Sequence, residues 1–137
     1  MDRFVKNFIG MSIIYLAVAS VMGVAMLGHP SLITLKFVHS HLMLIGWVSM
    51  MIFGVGYHIL PRFAGTPLKH PKMGEVQFWL ANIGLVGMLL FSVASSYNPE
   101  AELYRGLSVA FGFAEVFSIF LFFYNMFVTL FPKTKAA

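Results

Sequence analysis

Two histidines separated by one residue, His39 and His41, stand inside a long apolar stretch of this chain. Polar imidazoles within a lipid-spanning helix are costly and usually functional. An α-helix turns about 100° per residue, so the two rings diverge by about 200°. That divergence prevents them from sharing one mononuclear site and suits them to two separate cofactors, one on each side of the helix. Imidazole is the usual axial ligand of haem iron, and haem is flat, large and apolar enough to fill a gap between membrane helices. His39 and His41 are therefore expected to ligate haem iron. Gly46, with Gly54 and Gly56 on the same segment, removes side chains and permits close approach of a ring or a neighbouring helix. Gly46 is accordingly expected at the cofactor.

The elements that must position these residues are read from composition. Of the 137 residues, 59% are hydrophobic and 10% are charged, far from the quarter typical of soluble domains. The charges lie outside four apolar runs, 4–27, 37–60, 76–97 and 104–131. Each run has about 20 residues or more, enough to cross a hydrocarbon core of about 30 Å, and lipid leaves helices as the expected solution. The reading is a single four-helix transmembrane domain over 1–137, all-α and integral to a bilayer. The first run is too long for a signal h-region and is expected to be a retained span. Ser31 or Thr34 is expected to cap the second helix, Pro61 to end it after Leu60, and 62–74 to form a loop. The third helix is expected to begin near Glu75. The absence of cysteine excludes disulfides, iron–sulfur ligation, thiolate metal sites and covalent c-type haem.

Charge gives the topology. With four spans, Arg3, Lys6, Arg62, Lys69, Lys72, Lys133 and Lys135 share one side, and Lys36 and Arg105 stand on the other with Glu100 and Glu102. The positive-inside rule places both termini in the cytoplasm, and the basic excess is read as this signal, with no nucleic-acid partner.

The stretch from Val38-His39-Ser40-His41-Leu42 through Gly46, Phe53-Gly54 and Tyr57-His58-Ile59-Leu60-Pro61 to Gly65 resembles the tenth helix of subunit I of haem–copper oxidases and nitric oxide reductases. Gln77-Phe78-Trp79-Leu80 with Ile83-Gly84 is similar to the start of that family's eleventh helix. The resemblance implies that the chain corresponds to one third of a twelve-helix subunit, that His39 matches the ligand of the high-spin haem, and that His41 matches the ligand of the low-spin haem. It also gives Arg105 a place comparable to the family's propionate-binding arginines; the competing use of Arg105 is as an interfacial anchor. The chain departs from the family in lacking an adjacent histidine pair and the linked His/Tyr constellation, so copper is not expected from one chain alone.

Threefold symmetry among the family's four-helix arcs suggests a homotrimer in which His41 of one copy faces His39 of the next across a haem b. The function expected is that of a membrane b-type cytochrome transferring electrons, with a redox protein or quinone as partner, in a bacterial or archaeal inner membrane. The alternatives are a subunit of a split terminal oxidase or nitric oxide reductase with an open haem, and a cofactor-free membrane assembly protein; enzymatic activity is left open between them.

Other polar residues have milder readings. His29 and His70 are expected in solvated loops. His58 lies about 25 Å from His41 by helical rise and is expected at the interface. Trp47, Tyr97 and Tyr104 suit an interfacial belt. Met43, Met50 and Met51 are read as packing. Glu115 is the single carboxylate deep in a span; ionisation there is expensive, so it is expected to be neutral or paired, with Asn82 as candidate partner and either a proton-relay or an interhelical role. The Phe-rich part of the last run, 111–131, is expected to face lipid or a cofactor.

Overall fold

The computed structural model describes residues 1–132 and is helical throughout, with four helices long and apolar enough to cross a membrane. Helix α1 spans Arg3–Gly28, α2 is a continuous rod over Pro30–Phe63, α3 spans Pro71–Tyr97 and α4 spans Glu102–Leu130. Lys133 and Lys135 lie outside the described residues.

All four helices are apolar around most of their circumference, the pattern of a helix surrounded by lipid on one side and protein on the other. Val21, Val24 and Leu27 of α1, Trp79 and Leu90 of α3, and Phe113, Phe117, Phe120 and Phe127 of α4 face outward. The Phe-rich run thus divides: most of its rings cover the outside, while Phe122 is buried. Inside, an aromatic cluster joins all four helices. Phe8 meets Phe78 edge-on at 5.2 Å, Phe4 meets Tyr57 edge-on at 5.2 Å, and Tyr57 meets Phe122 edge-on at 5.1 Å. These T-shaped contacts are the favoured geometry for aromatic quadrupoles.

Small residues set the helix spacing. A Cβ on Gly54 would lie 2.8 Å from Ile9, and one on Gly84 would lie 2.8 Å from the backbone nitrogen of Glu115. At these points α2 touches α1, and α3 touches α4, closer than a side chain would permit.

Three boundaries differ from those expected. The second span begins at Pro30, in a 3₁₀ turn over Pro30–Leu35, and neither Ser31 nor Thr34 caps it; the Thr34 hydroxyl instead donates weakly to the Ser31 carbonyl at 3.4 Å. Pro61 lies inside α2, which continues to Phe63. A proline in the last turn forfeits one hydrogen bond where the ladder is about to end, and Ala64 N–H still donates to the Leu60 carbonyl at 3.0 Å. Helix α3 begins at Pro71, four residues before Glu75, because proline is preorganised for the first helical position. The true loop is thus short, and it opens with Gly65 at φ 64°, the left-handed residue that glycine tolerates at a helix C-terminus.

The rod α2 is not uniform. Lys36–His41 and Met50–Phe63 are α-helical, and Leu42–Ser49 between them is π-helical. The Ser49 hydroxyl donates to the Leu44 carbonyl at 2.9 Å, five residues back.

Candidate functional site

Because Lys36–His41 is regular α-helix, His39 and His41 leave the rod on opposite sides. His39 turns toward α1. Its Nδ1 lies 3.1 Å from the Ala19 carbonyl oxygen, and its ring sits over Gly23, whose absent Cβ would be 3.1 Å from His39 Cε1. His41 turns outward. Its Nδ1 lies 2.9 Å from the Phe37 carbonyl oxygen, and its ring packs on Phe37 with centroids 4.0 Å apart. Phe37, Leu44, Val48, Ile52 and Val55 form the exposed apolar face of the rod on which His41 stands.

Both imidazoles therefore make the same kind of bond. A carbonyl can only accept, so each Nδ1 carries a proton, and in the neutral ring Nε2 is then the nitrogen with the lone pair. An Nδ1–H donated to a backbone carbonyl is the support that a metal-ligating histidine ordinarily has. The pair thus fits axial ligation of haem iron. Among the described residues no three histidine or carboxylate side chains gather closely enough to hold a metal ion by themselves.

The neighbour that Gly46 admits is the Tyr15 ring of α1, with a Cβ at Gly46 only 2.8 Å from Tyr15 Cγ. The position expected at a cofactor is thus occupied, within one chain, by a helix contact. Gly54 and Gly56 likewise meet Ile9 and Phe122. Arg105 lies at the start of α4, on the same end of the bundle as the histidines. It pairs with Glu102 at 3.4 Å across an exposed turn and borders a small cleft lined by Ser92, Ser95, Ser96 and Ser108. A guanidinium so exposed is free to exchange that weak partner for another anion.

The remaining polar residues sort by their bonds. His29 is exposed after α1. His58 pairs with Arg62 one turn later on an exposed face, with Arg62 Nη1 2.8 Å from His58 Nδ1. Met50 is fully buried and Met43 packs against the core, as packing residues should. Tyr97 is exposed, and Tyr104 stacks on Phe91 at 6.4 Å.

The proposed pairing of Glu115 with Asn82 does not occur. Asn82 Oδ1 accepts from the Tyr15 hydroxyl at 2.8 Å, and Asn82 Nδ2 donates to the Phe78 carbonyl at 2.7 Å. Tyr15 comes from α1, whose polar content the sequence did not connect with α3. Glu115 is buried with both carboxyl oxygens unpartnered, and the same holds for Ser118 Oγ and Gln77 Nε2.

Sequence reasoning also passed over Asn125. Its side chain holds the loop from two directions, accepting from His70 N–H at 3.2 Å and donating to the His70 carbonyl at 2.9 Å. Thr129, one turn on, accepts from Lys69 N–H at 3.0 Å, and its carbonyl accepts from Thr66 Oγ1 at 3.0 Å. The spacing of Asn125 and Thr129 on one face of a Phe-rich helix was the available signal.

No protein-family model matches the chain, and no solved structure matches it. Over 81 residues it is 38% identical to cytochrome c oxidase subunit 1 of Rhodobacter capsulatus. That stretch is 58% of this chain and 15% of the oxidase subunit, so the chain corresponds to a small part of that protein's length. Together, the fold and this partial similarity describe an integral membrane protein with an oxidase-like segment.

Proposed function

We propose that this chain is a membrane b-type haem protein in which His39 and His41 ligate iron on opposite sides of α2. The observation that carries this reading is the matched anchoring of the two rings: each Nδ1 bonds a backbone carbonyl, leaving each Nε2 as a ligand. The partial likeness to an oxidase subunit supports haem over other imidazole-binding groups. Since the rings diverge, each haem takes its second axial ligand from another molecule. A closed homotrimer supplies it, with every copy giving one His41 and one His39 and no polar face left to lipid. Haem so held supplies one-electron transfer, and the protein supplies ligation, burial and potential. Arg105 is then available to a propionate.

The chain sits in a bacterial or archaeal cytoplasmic membrane with the loop between α2 and α3 inside. Among the described residues, Arg3, Lys6, Arg62, Lys69 and Lys72 lie toward that end, and only Lys36 and Arg105 toward the other.

The test is spectroscopic. Purified protein should show a low-spin b-type spectrum, and His39→Ala and His41→Ala should each abolish it. Colourless protein from haem-replete cells ends the proposal. The likeness to an oxidase subunit favours one rival, an open haem completed by a partner protein; a large carbon monoxide shift of the reduced protein would establish that rival in place of bis-histidine ligation.

A further inference from the structure

Glu115 is 4% exposed, and Ser118 and Gln77 are fully buried. All three have side-chain atoms without a hydrogen-bond partner. Buried polar atoms left unpaired are costly and call for water or an ion. Register places them at successive levels along the α3–α4 seam. Gly84 of α3 packs against the backbone of Glu115, and Gly56 of α2 packs against Phe122. Gln77 stands seven residues before Gly84 on the antiparallel helix, so it falls near the level of Phe122. Ser118 lies between that level and Glu115, one turn from the carboxyl.

The cluster has an opening at one end. The Tyr57 hydroxyl donates to Gln77 Oε1 at 2.7 Å. Tyr57 also forms part of the wall of a cavity of about 370 Å³ at the loop end, lined by Asp2, Arg62 and Thr66 among others. From the level of Phe122 to Glu115 is seven residues, a rise of about 10 Å. Toward the opposite end stand packed aromatic rings. Phe111, one turn from Glu115, packs on Gly87 and stacks on Phe91 at 5.5 Å, and Phe91 stacks on Tyr104.

We propose that Glu115 is an internal proton-exchanging acid, served from the loop-end cavity by water that Tyr57, Gln77 and Ser118 hold in line, and sealed from the opposite side. The step is a plain proton transfer: a hydronium in the cavity gives up its proton, the carboxylate gains an O–H bond, and water is left; release is the reverse. The Tyr15 hydroxyl from α1 lies within electrostatic reach of the carboxyl, and Gly84 of α3 packs against the Glu115 backbone. No other carboxylate or base is buried among the described residues. The proposal stands apart from the haem reading, since it uses none of the histidines.

Infrared spectroscopy of the full chain in liposomes tests it. A protonated carboxyl band that Glu115→Gln removes should shift within minutes of transfer to deuterated buffer. Tyr57→Phe and Gln77→Leu, both close in shape, should each slow that shift about tenfold, the scale of one lost hydrogen bond. Ser108→Ala, at the sealed end, should leave the rate unchanged. A band that resists exchange in the wild type, no band assignable to Glu115, or equal rates in all variants would overturn the route.

Discussion

At the residue scale, what decides the behaviour of a polar side chain in this protein is which partner reaches it first. Tyr15 takes Asn82 and so leaves Glu115 alone. Asn82→Leu should remove the hydroxyl's acceptor and destabilise the protein by about 1–3 kcal/mol, the usual result of orphaning a buried polar group; thermal unfolding in detergent measures this. Asn125→Leu should have a comparable effect at the loop, because two backbone groups of His70 lose their partner together. Limited proteolysis between 64 and 70 should then be faster than in the wild type. The histidine pair shows how far the residues alone could be read. Their opposition followed from one intervening residue and the pitch of a helix. Which carbonyl would anchor each ring did not, because Ala19 lies on another helix and backbone acceptors carry no side-chain signature.

At the element scale, the spans were legible because runs of about 20 apolar residues have few other uses. Their ends were less so. Pro61 reads as a break yet lies within a final turn, while Pro30 and Pro71 start helices. Proline excludes a helix interior and is compatible with either end, so it marks a boundary only to within a turn. The π-helical part of α2 had no sequence cue at all. Gly46 makes the sharpest element-level prediction. Gly46→Val places carbon atoms inside the Tyr15 ring's position, and α1 and α2 must separate or Tyr15 must abandon Asn82. A cost of about 1–3 kcal/mol is expected for such overpacking, read as a lower unfolding temperature.

At the scale of the whole molecule, the bundle has two unlike ends. One end holds the chain start, the α2–α3 loop and the end of α4, tied by Asn125 and Thr129. The other holds His39, His41 and Arg105. Orientation can be tested directly, since the chain has no cysteine of its own. A cysteine at Thr66 should be labelled by a membrane-impermeant thiol reagent only in inside-out vesicles, and one at Ser31 only in intact cells. The reverse pattern would place the basic end outside, against the positive-inside expectation. Assembly is tested at the same scale: the haem-bound protein should have the mass of three chains carrying one haem each, and a monomeric mass would refute the trimer.

The eight residues Leu42–Ser49 bond to the fifth residue back where an α-helix would use the fourth, so this part of the rod stores about one residue more than its height requires. Length can therefore be taken out here with little turning of what lies above and below. Deleting the exposed Leu44 should let the rod relax into ordinary α-helix with the imidazoles keeping their bearings. Deleting one residue between 50 and 63 has no such slack to draw on. It would swing one half of the rod against the other by about 100°, and should unfold the protein at a distinctly lower temperature than the first deletion.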